Sequence, residues 1–147
     1  MIRYFCYVCL LLLGLSGFVR SGFAEEAVNL KGVMILATND DGPSDKSIHA
    51  YETQLKRLFK FKHYQRIGNG DSRVNLPGKT RMELDNQHSL EIKASLTQRG
   101  HYRLLIDWHK NNQLLLKTTL IAKKGVPTLL GGPRYQGGNL IVVIVAK

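Results

Sequence analysis

Leu90-Glu91-Ile92-Lys93-Ala94-Ser95-Leu96 and Tyr102-Arg103-Leu104-Leu105-Ile106-Asp107-Trp108 decide the fold class. In the first, Leu90, Ile92, Ala94 and Leu96 alternate with Glu91, Lys93 and Ser95. In the second, Tyr102, Leu104, Ile106 and Trp108 recur at every other position. A period of two places one set of side chains on a core and the other in water, as in a half-buried strand.

Working outward from this pair, the same period continues on both sides. His63 to Ile67 and Arg73 to Leu76 flank Gly68-Asn69-Gly70-Asp71, which reads as a hairpin because Asn-Gly tolerates the positive φ of a tight turn. Lys79 to Leu84 leads into Asp85-Asn86-Gln87. Asn111-Asn112 supplies a turn before Gln113 to Ala122, and Lys123-Lys124-Gly125 closes that strand. Pro127 to Leu130 is short and runs into Gly131-Gly132-Pro133, read as the start of a long glycine loop. Leu140 to Ala146 is apolar throughout, as expected of a strand covered on both faces.

Upstream the pattern changes. Val33 to Ala37 is a compact apolar run ending at Asn39-Asp40-Asp41-Gly42-Pro43, a buried strand and a turn. From Asp45 to Lys60 the apolar residues Ile48, Tyr51, Leu55, Leu58 and Phe59 fall on one side of a 3.6-residue helix. Ser44 or Ser47 is placed to cap its start. The expected fold is α+β: an N-terminal strand and one amphipathic helix, then seven or eight mostly antiparallel strands in a sandwich or rolled sheet. An outer-membrane barrel is rejected, because its strands of about nine to eleven residues need apolar outward faces and aromatic girdles. Here the outward positions carry Lys, Arg and Glu, and the chain has one Trp.

The N-terminus carries an address. Arg3, the apolar run Tyr4 to Val19, and Gly22 and Ala24 before Glu25-Glu26 read as a cleavable export signal over residues 1–24, leaving 25–147 as a single mature domain. The run is shorter than a spanning helix and is interrupted by Gly14, Ser16 and Gly17, so an uncleaved inner-membrane anchor is the alternative. Cleavage removes Cys6 and Cys9, the only two cysteines. A disulfide-free exported domain fits a bacterial periplasm better than a eukaryotic secretory route. Removing Arg3 and Arg20 leaves 19 of the 21 Lys and Arg against 11 Asp and Glu, a net of +8. In an exported protein that excess points to an envelope protein partner or an anionic envelope polymer, and away from nucleic acid.

Four stretches hold candidate sites. Lys46, Lys56, Arg57 and Lys60 on the polar side of the helix, with Lys62 and Arg66 following, form an anion-binding candidate, to which Arg73, Lys79 and Arg81 are expected to contribute from later strands. Solvated charge on an amphipathic helix is the plainer account of that face. Arg134 and Tyr135, expected at the tip of the glycine loop, are the partner-binding candidate. Asp107 and His109, two apart on one strand with Arg103, would suit acid–base chemistry in a small hydrolase, but no nucleophile accompanies them. Asp40, Asp41 and Asp45 lack the ligand series of a calcium loop, and no His/Cys spacing suggests zinc. No catalytic residues, metal or cofactor are therefore assigned. Leu129-Leu130-Gly131-Gly132 before an apolar strand resembles a glycine turn of bacterial secretins, over those four residues alone, and implies no functional position.

The function expected from these features is a small, exported, non-enzymatic domain that binds a protein or assists envelope assembly. The alternatives are a binder of anionic lipid or polysaccharide through the basic helix and, second, a small hydrolase using Asp107 and His109.

Overall fold

The computed structural model describes residues 26–147, so the expected signal over residues 1–24 lies outside the described residues. Eight strands form two four-stranded sheets. They are β1 (Glu26–Thr38), β2 (His63–Leu76), β3 (Gly78–Glu83), β4 (His88–Leu96), β5 (Tyr102–Lys110), β6 (Gln113–Ala122), β7 (Thr128–Tyr135) and β8 (Gly138–Ala146). Sheet A has the order β2-β1-β8-β7 and sheet B the order β3-β4-β5-β6, each antiparallel throughout. A short 3₁₀ turn (Lys46–Ile48) leads into the helix α1 (His49–Leu58) between β1 and β2. The α+β architecture expected from the alternating segments is the architecture present.

Period-two burial builds the first core. Leu90, Ile92, Leu104, Ile106 and Trp108 from sheet B meet Val28, Leu30, Met34, Leu140, Val142 and Ile144 from sheet A. The other faces of β1 and β8 carry Val33, Ile35, Ala37, Ile141, Val143 and Val145, and the 3₁₀ turn and α1 cover them with Ile48 and Leu55. The layers therefore run helix, sheet A, sheet B. This explains why β8 is apolar at every position: both of its faces are inside. Leu58, expected in the buried stripe, is 58% exposed. At about 100° per residue it lies some 80° from Ile48, at the edge of the stripe, where the helix ends.

Three local expectations are corrected. The Asn69-Gly70 hairpin does not form; β2 runs unbroken through it for 14 residues. Gly70 pairs with Gly32 of β1, and Met82 lies across both: a Cβ on Gly32 would stand 2.5 Å from its Sδ, and one on Gly70 would stand 2.9 Å from its Cγ. A Cβ at Gly68 or Gly70 would also strike the carbonyl oxygens of Leu84 and Glu83. These glycines serve close approach between β2 and the end of β3, not a turn.

The second correction concerns the Gly131-Gly132-Pro133 stretch, which is strand and not loop, and so does not form the turn on which the secretin resemblance rested. β7 continues through it with a bulge between Gly131 and Arg134, and the turn to β8 is only Gln136 and Gly137, at φ 44° and 75°. Gly132 is small because the Trp108 ring lies against it; a Cβ there would come within 2.6 Å of Cη2. The third is the helix start. Neither Ser44 nor Ser47 caps it: Asp45 caps the 3₁₀ turn, its carboxylate accepting from the Ser47 N–H at 2.8 Å, and α1 itself starts from Ile48 with no side-chain cap. Ser44 Oγ instead accepts from the Tyr64 N–H at 3.1 Å, tying the approach to the helix onto β2.

Candidate functional site

The outer face of sheet B carries a hollow. Because Leu90, Ile92, Leu104 and Ile106 point into the core, the intervening residues of β3 to β6 point out, and strand register aligns them in rows. One row is Arg81, Glu91, Asp107, Lys117; the next is Lys79, Lys93, Leu105, Thr119. These residues line a hollow of about 600 Å³.

The two rows differ electrostatically. In the first, charges are matched: Arg81 Nη1 is 3.4 Å from Glu91, Arg81 Nε is 2.5 Å from Glu83, and Lys117 Nζ is 3.3 Å from Asp107. The hydrogen bond that Arg81 donates to Glu83, helped by the charges of Glu83 and Glu91, raises the Arg81 pKa above its ordinary value. In the second, Lys79 and Lys93 stand directly opposite each other, and neither has an ion-pair partner among the described residues. Like charges directly across a ladder destabilise a sheet. Beside them lie Thr119 and the 42% exposed Leu105. Such a floor presents these two positive charges beside some apolar surface.

The fold divides the basic residues that the sequence groups together. Lys46, Lys56, Arg57 and Lys60 ride on the outside of the helix layer, and Lys62 and Arg66 follow it. Lys79 and Arg81 lie on the far face of sheet B, across both cores. The helix group is also partly neutralised. Lys56 is 2.7 Å from Glu52, which His49 also approaches at 3.1 Å, and Lys62 is 3.6 Å from Asp41. The side-chain hydrogen bond from Lys56 outweighs desolvation and lowers the Glu52 pKa.

Arg134 and Tyr135 line a second hollow of about 500 Å³ with Phe61, Gln136 and Asn139. Adjacent strand residues diverge, however. Tyr135 packs against the inter-sheet core, its ring 6.0 Å from that of His88 and under the Lys110 ammonium at 5.0 Å. Arg134 alone remains exposed. Asp107 and His109 are not brought together in the sheet B hollow: Asp107 lines it, paired with Lys117, while His109 does not. Asp45 uses its two oxygens on the backbone N–H groups of Ser47 and Arg66. No group of three or more His, Cys, Asp or Glu that could hold a metal occurs among the described residues.

Sequence reading missed the pair Asp85 and His88. His88 is 1% exposed, and its Nδ1 lies 3.1 Å from the Asp85 carboxylate, which also accepts the Gln87 and His88 backbone N–H groups at 2.8 and 2.5 Å. Burial pushes the Asp85 pKa up, but these donors outweigh it and hold the group below its ordinary value. The His88 ring stands edge-on to Trp108 at 6.3 Å. The pair closes the β3–β4 turn, with the His88 ring buried and the Asp85 side chain half-buried. The available signal was Asp85 at the head of the turn Asp85-Asn86-Gln87, where an Asp side chain takes the N–H two residues on and so faces the strand-initial His88.

No protein-family model, curated protein or solved structure matches this chain.

Proposed function

We propose that this chain is an exported, non-enzymatic binding module that holds an acidic segment of an envelope protein on the outer face of sheet B. The carrying observation is the Lys79–Lys93 pair, two like charges set opposite each other with no ion-pair partner among the described residues, in a hollow of about 600 Å³. A fold gains nothing from that juxtaposition, whereas a bound carboxylate relieves it. The flanking Leu105 and Thr119 favour a polypeptide, which brings apolar groups and hydrogen-bond donors along with its charge. Export rests on the character of residues 1–24, and the positive balance of the rest suits an acidic partner.

The test is binding of fluorescent poly-L-glutamate at increasing salt. The Lys79→Glu, Lys93→Glu double variant is expected to lose binding, while Lys56→Glu, Arg57→Glu, Lys60→Glu and the Arg134→Ala, Tyr135→Ala pair keep it. Loss with the helix variant alone would overturn the sheet B reading in favour of an anionic lipid or polysaccharide site on α1. Loss with the Arg134 and Tyr135 pair alone would move the contact to the β7–β8 hairpin.

A further inference from the structure

Four strand edges end the two sheets, and three are protected. β2 carries Arg66, Asp71 and Arg73, and the end of β3 lies against it at Gly68 and Gly70. β3 has six residues and is charged at Lys79, Arg81 and Glu83. β7 is broken by Pro133 and by the bulge between Gly131 and Arg134. Short length, charge, proline and bulges are the devices by which proteins keep sheet edges from pairing. β6 is different. One irregularity, where Leu115 is extra between Leu114 and Leu116, lies near its start. From Leu116 to Ala122 it is regular, contains neither Gly nor Pro, and has one charge, Lys117. On its outward side Ile121 is left 48% exposed.

We infer that β6 pairs antiparallel with β6 of a second copy of this chain, about a two-fold axis through Thr119, joining two B sheets into one of eight strands. The register follows from three constraints. Outer residues must face outer residues across the junction, so the axis passes through a residue and not between two. An axis at Lys117 sets two ammonium groups together, and an axis at Thr118 runs the strand ends into the Leu115 bulge. The axis at Thr119 pairs the whole regular run, Leu116 with Ala122 and Thr118 with Leu120. It sets Thr119 against its own copy, and lays each Lys117 stem over the other copy's exposed Ile121. Both Lys79–Lys93 hollows then lie on one continuous face, with the two β4 strands five spacings apart, about 24 Å.

Sedimentation velocity of the purified full chain from micromolar to millimolar concentration tests this, with a concentration-dependent dimer expected. With Cys6→Ser and Cys9→Ser as background, Thr119→Cys should form a disulfide-linked dimer under mild oxidation and Thr118→Cys should not. Facing residues about 4.5–5.5 Å apart can be bridged, whereas those displaced along the strand cannot. Ile121→Glu should dimerise about 2- to 30-fold more tightly than Ile121→Lys, because two symmetry-related contacts to Lys117 change from repulsion to attraction. Ile121 lies outside the sheet B hollow, so poly-L-glutamate binding by the monomer should not follow these changes. A monomer at every concentration, equal cross-linking at 118 and 119, or equal dissociation constants for the two Ile121 variants would each overturn the inference.

Discussion

Replacing Gly70 by alanine separates three accounts of β2. In a free strand, the change would stabilise by about 0.4–1 kcal/mol, because the unfolded chain loses conformational freedom. In an Asn69-Gly70 hairpin turn, alanine at either position would be strained by the positive φ. In the structure, the new Cβ overlaps the Glu83 carbonyl oxygen and stands 3.1 Å from the Glu83 carbonyl carbon and 2.9 Å from Met82 Cγ. Met82 can rotate, but the Glu83 carbonyl is backbone of a strand whose Glu83 is paired with Ser89 of β4, so the strands must move apart. Overpacking of this kind costs about 1–3 kcal/mol. At about 4 °C per kcal/mol for a domain of this size, the melting temperature should fall by about 4–12 °C. Asn69, exposed on the same strand, should tolerate alanine to within about 0.5 kcal/mol. Parallel thermal melts by circular dichroism read both. Equal losses at the two positions would restore the turn, and a stabilised Gly70→Ala would show that nothing crosses β2 there.

Two further predictions concern buried polar groups. Tyr64 is fully buried, and its hydroxyl donates to the Phe59 carbonyl at 2.7 Å, with Leu55 O at 3.2 Å. Tyr64→Phe should cost about 1–2 kcal/mol in urea unfolding and speed amide exchange at the end of α1, since the Phe59 carbonyl loses the hydroxyl while Leu55 O keeps only the Phe59 N–H; unchanged stability would show that water replaces the hydroxyl. Asp85 has its folded pKa depressed, so its contribution is complete above its unfolded value of about 4 and is lost as pH falls through the lower folded value. Urea midpoints should therefore decline more gently below pH 4 in Asp85→Asn than in the parent, and an identical acid limb would remove Asp85 as a source of acid sensitivity.

Much of the fold was legible because its signals are local. Alternation in Leu90 to Leu96 and Tyr102 to Trp108, the helical stripe at Ile48, Leu55 and Phe59, and the Asn111-Asn112 turn, observed at φ 49° and 65°, all express the backbone geometry of a few neighbouring residues. The apolar character of Leu140 to Ala146 likewise announced a strand with two covered faces. The site was less legible. Lys79 and Lys93 sit on different strands, and nothing in their separate neighbourhoods shows that register sets them face to face.

Glycine marks where local information ended. The residues at 68, 70 and 132 have the conformational freedom of turn glycines, but each is small because a distant group, Leu84, Glu83 or Trp108, passes against the backbone. A missing Cβ permits either role, and only packing between residues remote in sequence selects one. Charge obeys the same division. The amino-acid order establishes an excess of positive residues and which lie on polar faces. Stacking helix, sheet A and sheet B then separates them into a partly neutralised helical face and an unbalanced sheet face, because the two apolar layers between must both be buried.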